Sequence, residues 1–193
     1  MKARIPAKSP LVLLYRLGGS TPKGQLLRRT LDAAGLPYRE ISPSQLNQTF
    51  GALAASPDPA IPPYEGQAPD CEFLGMCHFT SPQVNALLEQ LRKAGVPKID
   101  LKAVLTESNQ GWPILQLLVE LRREHEVMEV YSRLVPLIRE AESLPEENQD
   151  PVLWNSLNQA IFAAKGALSA EEPTSESLTA ALENLLAARS ALR

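Results

Sequence analysis

Two cysteines, two histidines and an aromatic share of 5% leave this chain of 193 residues short of the side chains from which metal sites, thiol sites and stacking surfaces are built. Cys71 and Cys77 lack the close C-x-x-C spacing of a zinc or redox motif, and only two histidines, His78 and His125, are available to help them. No metal and no cofactor is therefore expected. If residues 71 to 79 form a strand, the six residues from Cys71 to Cys77 span roughly 20 Å, far beyond the reach of a disulfide. Buried or half-buried thiols in a reducing compartment are the plain reading.

Cationic excess is also missing. A formal charge of -3 and the lack of a long Lys/Arg run give no attraction to nucleic acid or to an anionic membrane. No segment approaches the roughly 18 apolar residues of a membrane span. The opening "MKARIPAKSPLVLLYRLGG" places basic residues before an apolar run, as a secretory signal does. Its run from Leu11 to Tyr15 is too short, however, and no small-residue cleavage site follows. A cytoplasmic protein is expected.

What the chain does have is a 44% apolar composition, enough for a real core, and an internal echo. At an offset of 60 residues, "LVLLYRLGG" (11 to 19) aligns with "CEFLGMCHF" (71 to 79), and "LDAAGLP" (31 to 37) with "LRKAGVP" (91 to 97). Each half begins with a β-rich apolar run. Ser or Thr then caps a helix whose first position is Pro, where the missing N–H is harmless: Thr21-Pro22 and Ser81-Pro82. Leu26, Leu27 and Leu31, and likewise Val84, Leu87, Leu88 and Leu91, have helical spacing up to a glycine stop at Gly35 and Gly95. A second strand follows, at 38 to 42 and 101 to 106, and then an Asn-Gln stretch and another helix.

This is βαβα written twice, over residues 10 to 55 and 71 to 127, with a proline-rich loop at 56 to 70. Strand, helix, strand implies parallel pairing by a right-handed crossover. The expected fold is an α/β domain, residues 1–127, with a four-stranded, mostly parallel sheet in the order 2-1-3-4 and helices on both faces. A pseudo-twofold axis along the strands would make the first strands of the two halves neighbours. A ferredoxin-like α+β arrangement is the alternative. Residues 128–193 carry almost no strand signal. Pro145, Pro151 and Pro173 divide the chain from Glu126 onward into helical stretches expected to form a hairpin or three-helix bundle, with Pro136 kinking the first.

Within the second half, "KAVLTESNQGWPILQLLVELRREHE" resembles a bacterial family known as domain of unknown function 3783. In that family a Thr, a nearby Asn and Trp, and a terminal Glu-His recur after a strand; here they are Thr106, Asn109, Trp112, Glu124 and His125. The likeness is best over residues 73 to 127, and "LNQTFGAL" in the first half fits longer members. It implies a small α/β domain and no established activity. The C-terminal "LNQAIFAAKGALSAEEPTSESLTAALENLLAARSAL" resembles the short helical repeat named for its Phe-Ile-Val-Ala-Arg residues.

In open α/β sheets, ligands settle beyond the carboxyl ends of the strands at a topological switch point. For a parallel 2-1-3-4 sheet that point lies between strands 1 and 3. It would gather Gly18, Gly19, Ser20 and Thr21 with His78, Thr80 and Ser81. After the fourth strand, Thr106, Asn109 and Trp112 complete the candidate ligand-binding set: Asn109 would present its amide and Trp112 would wall a pocket. The competing reading of the Asn-Gln stretches is structural. Ser108 or Asn109 would cap a helix from about Gln110, and Trp112 would pack on the sheet. "GGSTPKG" matches neither phosphate-loop spacing. Cys77 and His78, adjacent on a strand, point to opposite faces and form no dyad.

No set of acid, base, nucleophile and oxyanion donors emerges, so no catalytic residue is assigned. The leading reading is a non-enzymatic binding or interaction protein with a small-ligand site or a protein partner. The helical C-terminus would serve association, including a homo-oligomer. The alternative is a small enzyme or sensor for an anionic molecule bearing phosphate or carboxylate, with His78 as acid or base.

Overall fold

The computed structural model describes residues 9–147 and 149–192. The first few residues of the signal-like opening lie outside this set. Its apolar run is strand β1, Leu11–Tyr15, and is almost wholly buried. The chain divides into two compact units, one ending at Leu121 and the other beginning at Arg122.

In the first unit the order is β1, α1 (Pro22–Ala33), β2 (Tyr38–Ile41), a 3-10 turn (Pro43–Gln45), α2 (Phe50–Ala54), β3 (Phe73–Cys77), α3 (Ser81–Lys93), β4 (Leu101–Val104) and the start of α4 (Ile114–Glu142). Local chemistry sets these bounds. The Thr21 hydroxyl accepts the Gly24 N–H at the start of α1. At α3 the cap is Thr80, which forms a box with Gln83; Ser81 is already helical and Pro82 is second, a shift of one residue from the expected cap. Gly35 (φ 65°) and Gly95 (φ 74°) adopt the left-handed conformation that closes both helices. Leu36 N–H bonds Leu31 C=O, and Val96 N–H bonds Leu91 C=O, each at 3.0 Å. These are the same C-terminal lock used twice.

The four strands lie in the order β2-β1-β3-β4, as expected. The outer pairs, β1 with β2 and β3 with β4, are parallel. The central pair is antiparallel, with Leu11 opposite Cys77 and Tyr15 opposite Phe73. The expected axis along the strands is therefore replaced by one perpendicular to the sheet, which keeps α1 and α3 on one face, and the four-stranded sheet is mixed.

Alternation sorts the side chains into two layers. Val12, Leu14, Leu74 and Met76 face α1 and α3 through Leu27, Leu31, Leu87 and Leu91. Leu13, Tyr15, Phe73 and Cys77 face the other layer, with Phe50 and Leu53 of α2 and Ile114, Leu117 and Leu118 of α4. Here Gly75 is obligatory for space, because a Cβ would lie 2.8 Å from the Phe50 ring, which packs edge-on to Phe73. The proline-rich segment forms no helix or strand, yet it is pinned. Buried Gln48 donates to Asp58 C=O and accepts from Asp58 N–H, both at 2.8 Å, and Tyr15 Oη donates to Pro69 C=O at 3.0 Å.

The second unit joins the later turns of α4 to α5 (Pro151–Leu168) and α6 (Ser175–Ala191). Its core is Leu134, Leu137 and Ile138 of α4, Leu157, Ile161 and Ala164 of α5, and Leu178, Leu182 and Leu185 of α6. Asp150 and Thr174 cap α5 and α6. Helix α4 passes through Pro136 and begins at Ile114, so the boundary expected between residues 127 and 128 falls inside a helix.

Candidate functional site

The antiparallel centre divides the candidate residues between opposite ends of the sheet. Gly18, Gly19, Ser20 and Thr21 follow Tyr15, whose partner Phe73 begins β3. His78, Thr80 and Ser81 follow Cys77, which sits opposite Leu11 at the beginning of β1. The two loops expected to share one crevice thus lie a strand length apart. Thr106, Asn109 and Trp112 follow β4, which is parallel to β3, and so belong to the His78 end.

At that end the Asn-Gln stretch resolves into a turn. Asn109 Oδ1 accepts the Thr106 N–H at 2.8 Å while Nδ2 donates to Val104 C=O at 2.9 Å. Its amide is spent on the backbone and does not cap a helix from Gln110. Thr106 and Ser108 join hydroxyls at 2.9 Å. The first half makes the same bonds 64 residues earlier: Gln45 Oε1 accepts the Ser42 N–H at 3.0 Å, and Ser42 and Ser44 join hydroxyls at 2.8 Å. The equivalent of Asn109 is therefore Gln45. The Asn47-Gln48 pair that echoes it in sequence is displaced by two residues.

The two turns also hold each other. Phe50 N–H bonds Trp112 C=O, Gly51 N–H bonds Gln110 C=O, and Ile114 N–H bonds Gln48 C=O, each at 2.9 Å around the Thr49–Pro113 bridge. Trp112 is 37% exposed. His78 takes a positive φ of 63° and borders a cavity of about 400 Å³ with Pro10, Leu11, Pro37 and Ala54. Ser9 also lines it. Beside it the Cys77 thiol is buried, and burial pushes its pKa up to about 12, with Arg39 opposing. A thiolate nucleophile is not available there at neutral pH.

At the other end, beyond the carboxyl ends of β1 and β2, a cavity of about 520 Å³ opens between Gly18, Ser20 and Thr21 on one side and Glu40, Ser42 and Pro43 on the other, with Arg16 at its border. Its loop is built tightly. Gly24, in the first turn of α1, packs so closely that a Cβ would lie 1.9 Å from Gly18 C=O. Gly19 admits the Arg28 guanidinium, whose Nη1 would sit 2.9 Å from a Cβ there. Arg28 pairs with Glu40 and lies over the Tyr38 ring at 5.7 Å. Arg16, at φ 54°, pairs with Asp70 at 2.8 Å, and the Asp70 side chain is 92% exposed.

Of the ten candidates, this cavity gathers Gly18, Ser20 and Thr21, with Gly19 adjoining. Arg16, Glu40 and Ser42 were missed. No spacing in the sequence brings 16 beside 40, but comparing "ISPSQ" with "LTESN" locates the Ser42 turn. Among the described residues no cluster of three or more His, Cys, Asp or Glu could hold a metal ion.

The first unit is thus an open α/β sheet domain with a cavity beyond one pair of parallel strands. Residues 72–128, covering β3, α3, β4 and the first turns of α4, match the family described as Domain of unknown function (DUF3783). The matched stretch includes the "LTESNQGW" segment. No curated protein and no solved structure matches it.

Proposed function

We propose that this is a non-enzymatic binding protein. Its α/β unit takes a small anionic molecule in the cavity beyond β1 and β2, and its helical unit mediates association. The carrying observation is the state of Arg16. It borders the cavity, and its partner Asp70 is an almost fully exposed carboxylate. Such a surface pair is worth at most about 1 kcal/mol, so a ligand carboxylate or phosphate can replace it at little expense. Ser20 and Ser42 line the same space. The rival enzyme or sensor reading needs Ser20 and His78 to converge, and the antiparallel β1–β3 pair separates them.

The test is native mass spectrometry on freshly purified protein. Extra mass per chain that is lost on denaturation, and absent from a folded Ser20→Phe variant whose ring fills the cavity, is expected. Retained mass in that variant would move the site elsewhere.

For the helical unit we propose a second copy of the chain as partner, through α5. Phe162 is 81% and Val152 77% exposed, and Lys165 is the one charged residue in α5. The exposed face of α5, with Asn155, Ser156 and Gln159 between Val152 and Phe162, is nearly uncharged and presents no like-charge repulsion to its own copy. Phe162→Asp is expected to lower the solution mass by light scattering; a wild-type monomer would refute the dimer. A cytoplasmic setting remains part of the proposal and rests on composition and the buried Cys77 thiol. So does descent of the two halves from one βαβα unit, supported by the hydrogen bonds repeated at a 64-residue offset.

A further inference from the structure

A second cavity, lined by none of the candidate site residues above, lies on the α3 side of edge strand β4. It is about 260 Å³, lined by the apolar Leu88, Leu91, Val96 and Ile99 and by three cations, Arg92, Lys98 and Lys102. Lys102 is the unusual member. Alternation turns it toward α3, among the side chains of the Val12–Leu14 layer, where its Nζ donates to Ile99 C=O. Two of its three donors remain. Burial lowers its pKa, Lys98 and Lys23 lower it further, and Asp100 opposes them. The nearby acids are engaged: Asp100 pairs with Lys98 at 3.0 Å and Glu72 pairs with Lys23. Among the described residues neither Lys102 nor Arg92 has an ion-pair partner.

A lysine on an edge strand can serve simply to discourage strand addition. That role keeps the ammonium in water. Here it is partly desolvated, Asp100, the acid that acts on it, is already paired with Lys98, and it lines an apolar hollow together with Arg92 and Lys98. An anion restores what burial removed, and an apolar body attached to that anion covers the apolar lining.

We infer that this cavity binds a small organic monoanion with a compact apolar body, an aryl or branched-alkyl carboxylate, with Lys102 and Arg92 on the carboxylate and Leu88, Leu91, Val96 and Ile99 around the body. The site is independent of the cavity beyond β1 and β2, because no residue is common to the two linings.

The test uses the full chain, 2-naphthoate as probe and its neutral isostere 2-naphthamide as control, followed by amide NMR titration and calorimetry. Saturable binding of naphthoate, with shifts confined to residues 87–104 and their neighbours on α1, is expected. Naphthamide should bind at least about tenfold more weakly, the ratio equivalent to about 1.4 kcal/mol. Lys102→Met should lose a similar factor, and Lys102→Arg should keep most of it. Equal binding of acid and amide, shifts scattered over the sheet, or no saturable binding at millimolar naphthoate would each overturn the inference. The acid and amide comparison on the unmodified protein decides the matter even if Lys102→Met does not fold.

Discussion

The same substitution, Gly to Ala in a helix, should change stability in opposite directions at two places. Ala is favoured over Gly in a helix interior by about 1 kcal/mol. At Gly166 in α5, an added Cβ meets nothing within 4 Å, and the residue is exposed, so that preference is the whole effect. Gly166→Ala should stabilise the helical unit by up to about 1 kcal/mol. At Gly24 in α1 the Cβ would come 1.9 Å from Gly18 C=O and 2.7 Å from Leu17 C=O. Both obstacles are backbone and cannot rotate aside. Forced overpacking costs about 1–3 kcal/mol and sometimes more. Taking the upper end and subtracting the helix preference leaves Gly24→Ala destabilising by about 2 kcal/mol or more.

In a unit of this size each kcal/mol moves Tm by roughly 4 °C or more, so a drop of about 8 °C is expected. Hydrogen exchange resolved by peptide, followed through urea, reads the two units separately. A Gly24→Ala protein as stable as the parent, or both variants shifting the same way, would refute the close packing of α1 on the loop that walls the β1–β2 cavity.

Three further outcomes are expected. Asn109→Ala removes the two bonds that close the turn after β4 and should destabilise the α/β unit by about 1–3 kcal/mol in urea, as Gln45→Ala should more mildly; an unchanged midpoint would deny the turn its structural role. Gln48→Ala unpins Asp58, so limited proteolysis should cut the segment from 56 to 63 much faster than in the parent, and equal rates would show that prolines alone hold it. Stability should fall as pH rises from about 9 toward 12. Cys77 has its folded pKa raised from 9.0 to about 12, so the stability it adds is present below the unfolded value and lost through that window, by up to about 1.4 kcal/mol per pH unit. Tyr15, also raised by burial, acts in the same sense, while Lys102, lowered, opposes. Cys77→Ala should flatten the slope, and an unchanged pH profile would place the thiol outside the core.

Much of the architecture was legible because its signals are local. Thr21 and Pro22, the left-handed Gly35 and Gly95, and leucines at helical spacing act within one or two turns of chain. The order of elements and the parallel outer pairs follow from them and from the handedness of the crossover. The Asn-Gln echo misled by two residues for a related reason. What recurs physically is a side-chain amide closing a turn, and Gln45 and Asn109 do this with different residue names.

By itself, then, the sequence determined the elements, their order and the neighbours in the sheet. Only the tertiary structure decided the direction of β3 against β1, and with it which loops meet. Both directions satisfy the strand hydrogen bonds and bury the same alternating side chains, and the 31 residues between β2 and β3 are long enough to return the chain either way. The choice lies in long-range packing: α1 and α3 covering one face, and the two turns bonding to each other across the Thr49–Pro113 bridge on the other. No window of sequence contains both partners of those contacts. The cavities at the ends of the strands inherit that decision.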